Sequence, residues 1–262
     1  MRKVIIPITL AAVLTTAVLH TGCVPTGPEN VITEEKDFTD FTHVDVEGTF
    51  EVEIIQSDSF STTISADESF FDYIAVDKEG ETLRIYLNPR HTFTDFTLQA
   101  RNLKAEITMP ALYGLNLSGA SEGTITGFKS SEDFSLEVSG ASSLTTVDIE
   151  VGDAEFEISG ASEVTGDMKA NDAEFKVSGA SEIDLEGSAN NITLTASGAS
   201  KIDLADFLIN DAYLILSGAS EATLNASGRL DSFLSDASRL YFHGNPVMGN
   251  ISVTGASTIK HK

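Results

Sequence analysis

Apolar and polar residues alternate in short runs along most of this chain, and the runs recur beside a repeated tetrapeptide, Ser-Gly-Ala-Ser. The residue directly before each copy is apolar, and so is the residue three before it, except at Ser232. The residue between them is mostly polar. A period of two is typical of a strand with one buried face. The pattern therefore predicts a short strand leading into each tetrapeptide.

The copies of the tetrapeptide follow one another at a nearly constant interval. Complete copies begin at Ser118, Ser139, Ser159, Ser178, Ser197 and Ser217, and variants begin at Ser235 and Thr254. The successive spacings are 21, 20, 19, 19, 20, 18 and 19 residues. In most copies alternation resumes five residues after the start, as at Leu144, Val164 and Ile183, with Gly123 as an exception, and this adds a second strand. Such a period indicates one small unit stacked on its copies, so we predict an all-β parallel β-solenoid (β-helix) with about 19–20 residues per turn.

The corner between the two strands has a defined backbone requirement. Glycine is second in seven copies, and the exception is Asp236, a residue type that tolerates positive φ. Alanine is third in every copy. Strict alternation would point this alanine outward and the fourth-place serine inward. A confined corner favours the opposite arrangement, with alanine packed inside and serine hydroxyls bonding the turn backbone, and this second arrangement is our expectation.

Four segments divide the chain. We predict a signal peptide over 1–22, a tether over 23–37, a strand-rich part over 38–110 and the repetitive solenoid over 111–262. Within the strand-rich part, 77–81 reads as a hairpin turn between two strands. The segment from Val46 to Val52 looks like a degenerate copy of the later rung from Ile158 to Val164. It is expected to be an early, atypical rung.

Three segments form a recognisable order of motifs: the stretch from Phe50 to Gln56, then Leu83-Arg84-Ile85, then 105–110 running into 115–121. This order resembles a known family, described as "putative auto-transporter adhesin, head GIN domain". It extends from about Phe38 to the C-terminal region. The resemblance implies a right-handed β-helix, found mainly in cell-envelope proteins of Bacteroidetes-like bacteria. It implies much less about activity.

The N-terminal segment has the pattern of an export signal. A basic Met1-Arg2-Lys3 precedes a mostly apolar run from Val4 to Leu19, which is too short for a spanning helix. Cys23 is the only cysteine and follows Gly22, which fits a lipid-attachment site, although His20 and Thr21 depart from the usual lipobox. Ordinary cleavage near Cys23 is the alternative. We expect an outer-membrane lipoprotein, facing either the periplasm or the cell exterior.

The charge of the chain limits its partners. The formal net charge is −24, and removal of Arg2 and Lys3 with the leader makes it −26. Phosphate-rich partners require clustered Lys and Arg, so nucleic acid and anionic lipid surfaces are disfavoured. We expect contact with a membrane only through a lipid anchor, and an unknown envelope protein or glycan as partner.

Two columns of acidic residues are candidate sites. The position after each tetrapeptide gives a column that contains the glutamates Glu122, Glu163, Glu182 and Glu221. Lys201 and Arg239 interleave with them, which favours a solvated charge ladder, and weak binding of a cation or a partner is the alternative. A second column lies six residues before the tetrapeptide and is expected to form turns. Its members are Asp133, Asp153, Asp172, Asn191 and Asp211.

The sequence offers no catalytic constellation. The repeated serines are too many and too alike to be nucleophiles, and the histidines lack the spacing of a zinc site or triad. The most site-like residues are Tyr86, Asn88, Arg90 and His91. We expect no enzyme activity, cofactor or metal. The leading hypothesis is an adhesin or interaction module, and the alternatives are a glycan-binding or carbohydrate-active protein and a periplasmic scaffold.

A further group of residues stands out because it breaks the polar rule of the outward positions. Ile215 and Phe233 occupy an otherwise polar column, and Tyr241 is nearby. An apolar contact strip near the C-terminal end is one interpretation. Packing of one bulky neighbour on another is the other.

Overall fold

A computed structural model describes residues 30–88 and 103–262 of the chain. The described residues form strands and one short 3₁₀ helix over Glu68–Tyr73. In chain order the strands are β1 (Val31–Lys36), β2 (His43–Gly48), β3 (Glu51–Gln56), β4 (Ser61–Asp67), β5 (Ile74–Glu79), β6 (Thr82–Leu87), β7 (Lys104–Met109), β8 (Gly114–Gly119), β9 (Glu122–Thr126), β10 (Phe134–Val138), β11 (Ser143–Glu150), β12 (Ala154–Ile158), β13 (Glu163–Lys169), β14 (Asp172–Val177), β15 (Glu182–Ala196), β16 (Lys201–Leu216), β17 (Glu221–Ala226), β18 (Arg229–Leu234), β19 (Arg239–His243), β20 (Val247–Val253) and β21 (Thr258–His261).

Two long parallel sheets run the length of the molecule. The first contains, in spatial order, β6, β2, β8, β10, β12, β14, the second halves of β15 and β16, β18 and β20. The second contains β7, β3, β9, β11, β13, the first halves of β15 and β16, β17, β19 and β21. Each strand pairs with its equivalents in neighbouring rungs. The predicted parallel β-helix is confirmed.

A short third side closes each turn of the helix. Strands β15 and β16 are long because each continues past the second sheet, through a register irregularity, onto this side and then into the first sheet. Met168, Ala189 and Ile209 point inward from the third side and are buried. The three sides therefore enclose one continuous apolar core.

The core is built from columns of equivalent residues. The column three residues before the tetrapeptide includes Leu136, Phe156, Phe175 and Leu194, all buried. The Phe156 and Phe175 rings stack with centroids 4.8 Å apart and planes 24° from parallel. Ser232, which breaks the apolar rule, is also fully buried, and its Oγ has no hydrogen-bond partner. Period-two alternation thus places nearly every inward side chain on its equivalent in the next rung.

The orientation of the corner differs from our expectation. Ala180 is exposed, as is the third-place alanine of the other copies, whereas the fourth-place serines are buried except Ser257 in the last rung. Strict alternation therefore continues through the corner. The buried hydroxyl is accommodated because it donates a hydrogen bond to the carbonyl of the first serine, at 2.8 Å from Ser162 to Ser159 and 2.9 Å from Ser181 to Ser178. Bonding of the turn backbone by serine was predicted correctly, and packing of alanine inside was wrong.

Two features of the corner favour glycine, a positive φ and a close approach between the backbones of neighbouring rungs. Their φ values are positive, for example +81° at Gly160 and +80° at Gly179. A Cβ added at Gly179 would lie 2.3 Å from the carbonyl oxygen of Gly160, because equivalent corners touch through their backbones. The same approach recurs at each glycine of the tetrapeptide column. Glycine meets both conditions without strain, and Asp236, at φ +64°, is the one residue with a side chain in this column.

The N-terminal half belongs to the same stack. Strands β2 and β3 pair with β8 and β9, and Gly48 lies in register with Gly119, so the segment from Val46 to Val52 is a rung as predicted. The expected hairpin joins β5 and β6. Strands β6 and β7 add a further rung on the other side of β2 and β3, and the sequence pattern did not reveal this rung.

Antiparallel strands cover the N-terminal end of the stack. Strand β5 pairs with β6, and β4 pairs with β7 and in turn with β1. Strand β1 lies in the segment expected to be a tether over 23–37, so this part is ordered and extends a sheet. Its pairing with β4 was not visible in the sequence because Val31–Lys36 has little apolar alternation.

The C-terminal end has no comparable cover among the described residues. Strands β20 and β21 each pair on one side, with β18 and β19. Ile251 and Val253 occupy columns that are buried in earlier rungs, yet they are 39% and 41% exposed. The last rung therefore presents its apolar face to solvent.

Candidate interaction surface

The glutamate column lies at the start of the second sheet, immediately after the corner. Parallel register places Glu122, Ser143, Glu163, Glu182, Lys201, Glu221, Arg239 and Thr258 side by side. The column also continues through Glu51 to Lys104. Those last two members lie outside the eight tetrapeptide copies. We call these residues the glutamate column.

Basic residues neutralise part of the glutamate column. The Lys201 ammonium donates a hydrogen bond to Glu182, and this contact raises the pKa of Lys201. Arg239 lies 3.5 Å from the carboxylate of Glu221. At the other end Lys104 lies 4.0 Å from Glu51 and 2.8 Å from Glu106. Glu122 and Glu163 flank Ser143 and form no ion pair among the described residues, so the negative charge of the column concentrates there.

The aspartate column ties successive rungs together. The Oδ1 atom of Asp133 accepts the backbone N–H of Asp153 at 3.0 Å, and Asp153 accepts that of Asp172 at 3.2 Å. Asp172 accepts the N–H of Asn191 at 3.0 Å, and Asp211 accepts that of Arg229 at 2.6 Å. These carboxylates bond the next rung rather than their own turn. They satisfy backbone donors where the chain enters each strand.

A shallow groove runs beside the aspartate column. Its volume is about 430 Å³, and its lining includes Tyr113, Asp153, Glu155, Asp172 and Glu174. Lys176 donates a hydrogen bond to Glu155 at 2.6 Å and also contacts Glu174 at 3.2 Å. These contacts, with the Glu155 hydrogen bond as the main cause, raise the pKa of Lys176. A groove with this excess of carboxylates suits cationic or neutral polar ligands and disfavours phosphates and other anions.

The cluster singled out near Tyr86 is only partly described. The Tyr86 hydroxyl donates to Asp77 at 2.8 Å, and the guanidinium of Arg84 lies 5.2 Å from the centre of the Tyr86 ring. The backbone N–H of Asn88 bonds the carbonyl of Tyr73. Arg90, His91 and the lipid-attachment candidate Cys23 lie outside the described residues. The Tyr86 side chain thus links the two strands of the β5–β6 hairpin.

An apolar strip lies on the outward face of the first sheet. Ile215 and Phe233 are neighbours in register, and the rings of Tyr213 and Phe233 lie 5.5 Å apart. Tyr213 and Ile215 are exposed. Tyr241 belongs to the second sheet, where the Lys262 ammonium sits 4.0 Å from its ring centre. The strip therefore consists of Tyr213, Ile215 and Phe233, and Tyr241 is not part of it.

Within residues 30–88 and 103–262, no group of three or more His, Cys, Asp or Glu side chains is arranged to hold a metal ion. The same residues contain no helix long and apolar enough to cross a membrane.

The order of strands, corners and capping hairpin can be compared with known families. The model of the family described as "Putative auto-transporter adhesin, head GIN domain" matches residues 40–246. The chain belongs to the head GIN domain family. The match runs from β2 to β19, so it includes the N-terminal rungs and most of the repetitive stack and leaves out β1, β20 and β21.

Solved structures share the fold of this head GIN domain at low sequence identity. A crystal structure of a "putative adhesin" from Parabacteroides merdae aligns with a TM-score of 0.82 at 16% identity, covering 90% of this chain and 98% of that one. A second "putative adhesin", from Parabacteroides distasonis, gives 0.80 at 13% identity with coverages of 88% and 97%. A "putative lipid binding protein" from Parabacteroides distasonis gives 0.73 at 19% identity with coverages of 90% and 98%. No curated protein matches the chain.

Proposed function

We propose that this head GIN domain protein is a non-enzymatic, exported lipoprotein of the cell envelope that binds partners through the sides of its solenoid. The observation that carries the proposal is the regularity of the stack. Equivalent corner residues from Gly119 to Gly255 are spaced by 18 to 21 residues, so no rung of this region extends a long loop. Enzymes built on solenoids need such loops to wall a cleft around a substrate.

Adhesion agrees with the family description and with the surface chemistry. The long second sheet exposes the glutamate column, where Glu122 and Glu163 are the carboxylates free of ion pairs among the described residues. An extended acidic surface suits a basic protein partner bound by many weak contacts. Lipid attachment at Cys23 would hold this surface at the membrane.

Two measurements on whole cells test the proposal. Protease treatment of intact cells that carry the tagged protein should cleave it, with lysed cells as the control for intrinsic susceptibility. Protection until lysis would end the adhesin proposal and favour a periplasmic scaffold. The variant Cys23→Ser should lose metabolically incorporated fatty acid and leave the membrane fraction, whereas retention of the lipid would refute attachment at Cys23.

Glycan binding is the second candidate function, and the apolar strip favours it. Exposed aromatic rings next to polar side chains offer an apolar platform for the carbon face of a sugar ring. Tyr213→Ala should abolish binding to a panel of immobilised polysaccharides if the strip is the site, with Tyr241→Ala as the matched control. Release of reducing ends during incubation would instead make the protein an enzyme.

A further inference from the structure

The two ends of the solenoid carry unpaired strand edges. In the described chain, β20 and β21 pair on one side only, and so do β5 and β1 at the opposite end. An open edge presents backbone N–H and C=O groups that can pair with another chain. Counting only pairs between residues 30–88 and 103–262, each of the two sheets has one open edge at each end.

The C-terminal end adds apolar area to its open edges. Val247 is 69% exposed and Met248 45%, beside Ile251 and Val253 on the same strand. In earlier rungs the columns of Ile251 and Val253 hold fully buried residues such as Leu214 and Leu216. No other strand of the described residues covers the last rung on this side.

The ends carry opposite charge. After Asp236 the sequence contains no acidic residue and three basic ones, Arg239, Lys260 and Lys262. The N-terminal cap, taken as 30–42 and 57–81, contains 11 acidic and 2 basic residues, a net charge of 11 − 2 = 9 negative units. Charged side chains on an exposed strand edge usually disfavour pairing with another chain. Opposite charge on the two ends of one molecule instead favours contact between the head of one copy and the tail of another.

Strand direction is compatible with such a contact. Strand β4 is antiparallel to β7 and β1 is antiparallel to β4, so β1 runs in the same direction as the parallel strands of the second sheet. If a second copy were stacked in the same orientation on the C-terminal end, its β1 would run parallel to β21. The second sheet would then continue from one molecule into the next.

We propose that the C-terminal end of one molecule docks on the N-terminal cap of a second copy of this chain, joining molecules head to tail. The contact covers Ile251 and Val253 and places Lys260 and Lys262 against the acidic strand β1 of the neighbouring copy. In continuous register Glu35 of that strand shares the column of Lys260, while Glu34 is paired with Lys36 of its own strand. Because the two contact surfaces differ, every assembly keeps one free head and one free tail, and it grows as a linear filament. The inference does not depend on the proposed adhesive function.

Sedimentation velocity of the exported chain without its lipid tests the proposal. We expect the average mass to rise steadily with concentration and to fall as salt is added, since the attraction between the ends is screened. The tail variant Lys260→Glu/Lys262→Glu and the head variant Glu34→Lys/Glu35→Lys should each weaken self-association by at least about tenfold. A mixture of the two variants should associate again, because each then presents an end complementary to the other.

Matched controls change the same number of charges on the sides of the stack. Lys129→Glu/Lys169→Glu controls for the tail variant, and Glu137→Lys/Glu157→Lys controls for the head variant. Both controls should associate like the original protein, and restored association in the mixture also shows that the variants are folded.

Three outcomes would overturn the proposal. The first is a protein that stays monomeric at every concentration. The second is a closed dimer that the head variant leaves intact, which would indicate contact between two tails. The third is a monomer that binds anionic phospholipid vesicles through Lys260 and Lys262, which would make the end a lipid-binding surface.

Discussion

Replacing Gly179 by alanine adds one methyl group at the corner of a single rung, and we expect it to lower the free energy of unfolding by about 2 to 5 kcal/mol. The positive φ of Gly179, +80°, costs an L-residue about 1–2 kcal/mol. The new Cβ would also lie 2.3 Å from the carbonyl oxygen of Gly160, and backbone displaced by overpacking typically costs about 1–3 kcal/mol.

The adjacent residue supplies a matched control with the opposite expectation. Ala180→Phe adds a whole ring, but Ala180 is exposed, so the change should stay within about 0.5 kcal/mol. The smaller substitution should therefore be the more damaging one. This order follows from the geometry of the corner and would be reversed if alanine packed inside.

Urea unfolding followed by far-ultraviolet circular dichroism measures both variants, since the chain has no tryptophan. Stacked repeats can unfold in parts, so amide hydrogen exchange at Ala180, whose N–H bonds the Gly160 carbonyl at 2.8 Å, gives a local measurement. An unchanged midpoint and unchanged exchange in Gly179→Ala, or a larger loss in Ala180→Phe, would refute the reasoning.

Three further substitutions test hydrogen bonding and charge. Ser181→Ala removes the buried hydroxyl bonded to the Ser178 carbonyl and should cost about 0.5–1.5 kcal/mol in urea unfolding, whereas no loss would show that the bond is dispensable. Ser232→Ala removes a buried hydroxyl that has no partner and should instead stabilise by about 1 kcal/mol, so a loss there would indicate an unseen partner. Hydrogen bonds from Arg229 are the main cause that lowers the pKa of Asp231 to about 2. Asp231 therefore stabilises the fold above its unfolded value of 3.8, and this contribution disappears as the pH falls towards 2. Asp231→Asn should lower the melting temperature at neutral pH, and the melting temperature of this variant should fall less than that of the original protein between pH 4 and 2. An equal fall in both proteins would contradict the stabilising role given to the Asp231 carboxylate.

The repetitive half could be predicted from sequence because every rung repeats the same physical constraint. Apolar residues at equal offsets, such as Phe156 and Phe175, must stack if each strand pairs with its equivalent, and the positive φ at the corner selects glycine. The orientation of the corner was harder, because a small residue and a hydroxyl can each be buried. The outcome depended on whether the serine hydroxyl could reach a carbonyl, and a sequence does not give that distance.

One rung of the N-terminal half could not be predicted from the repeat pattern. Strands β6 and β7 carry no tetrapeptide, and they stack on β2 and β3 out of chain order, so no offset relates them to the other rungs. The same problem hid Glu51 and Lys104 as members of the glutamate column. A signal for Glu51 was present, because aligning 46–52 with 158–164 places Glu51 opposite Glu163.

The backbone contact between corner glycines has a consequence for the length of the protein. Since Gly160 meets Gly140 and Gly179 in the same way, removing 160–178 would bring Gly179 onto Gly140 with the contact unchanged. The solenoid would become shorter by one strand spacing, about 4.8 Å, while both ends kept their structure. Gain or loss of whole rungs by unequal recombination can therefore vary the height of the molecule without redesign of its core, its cap or its open end.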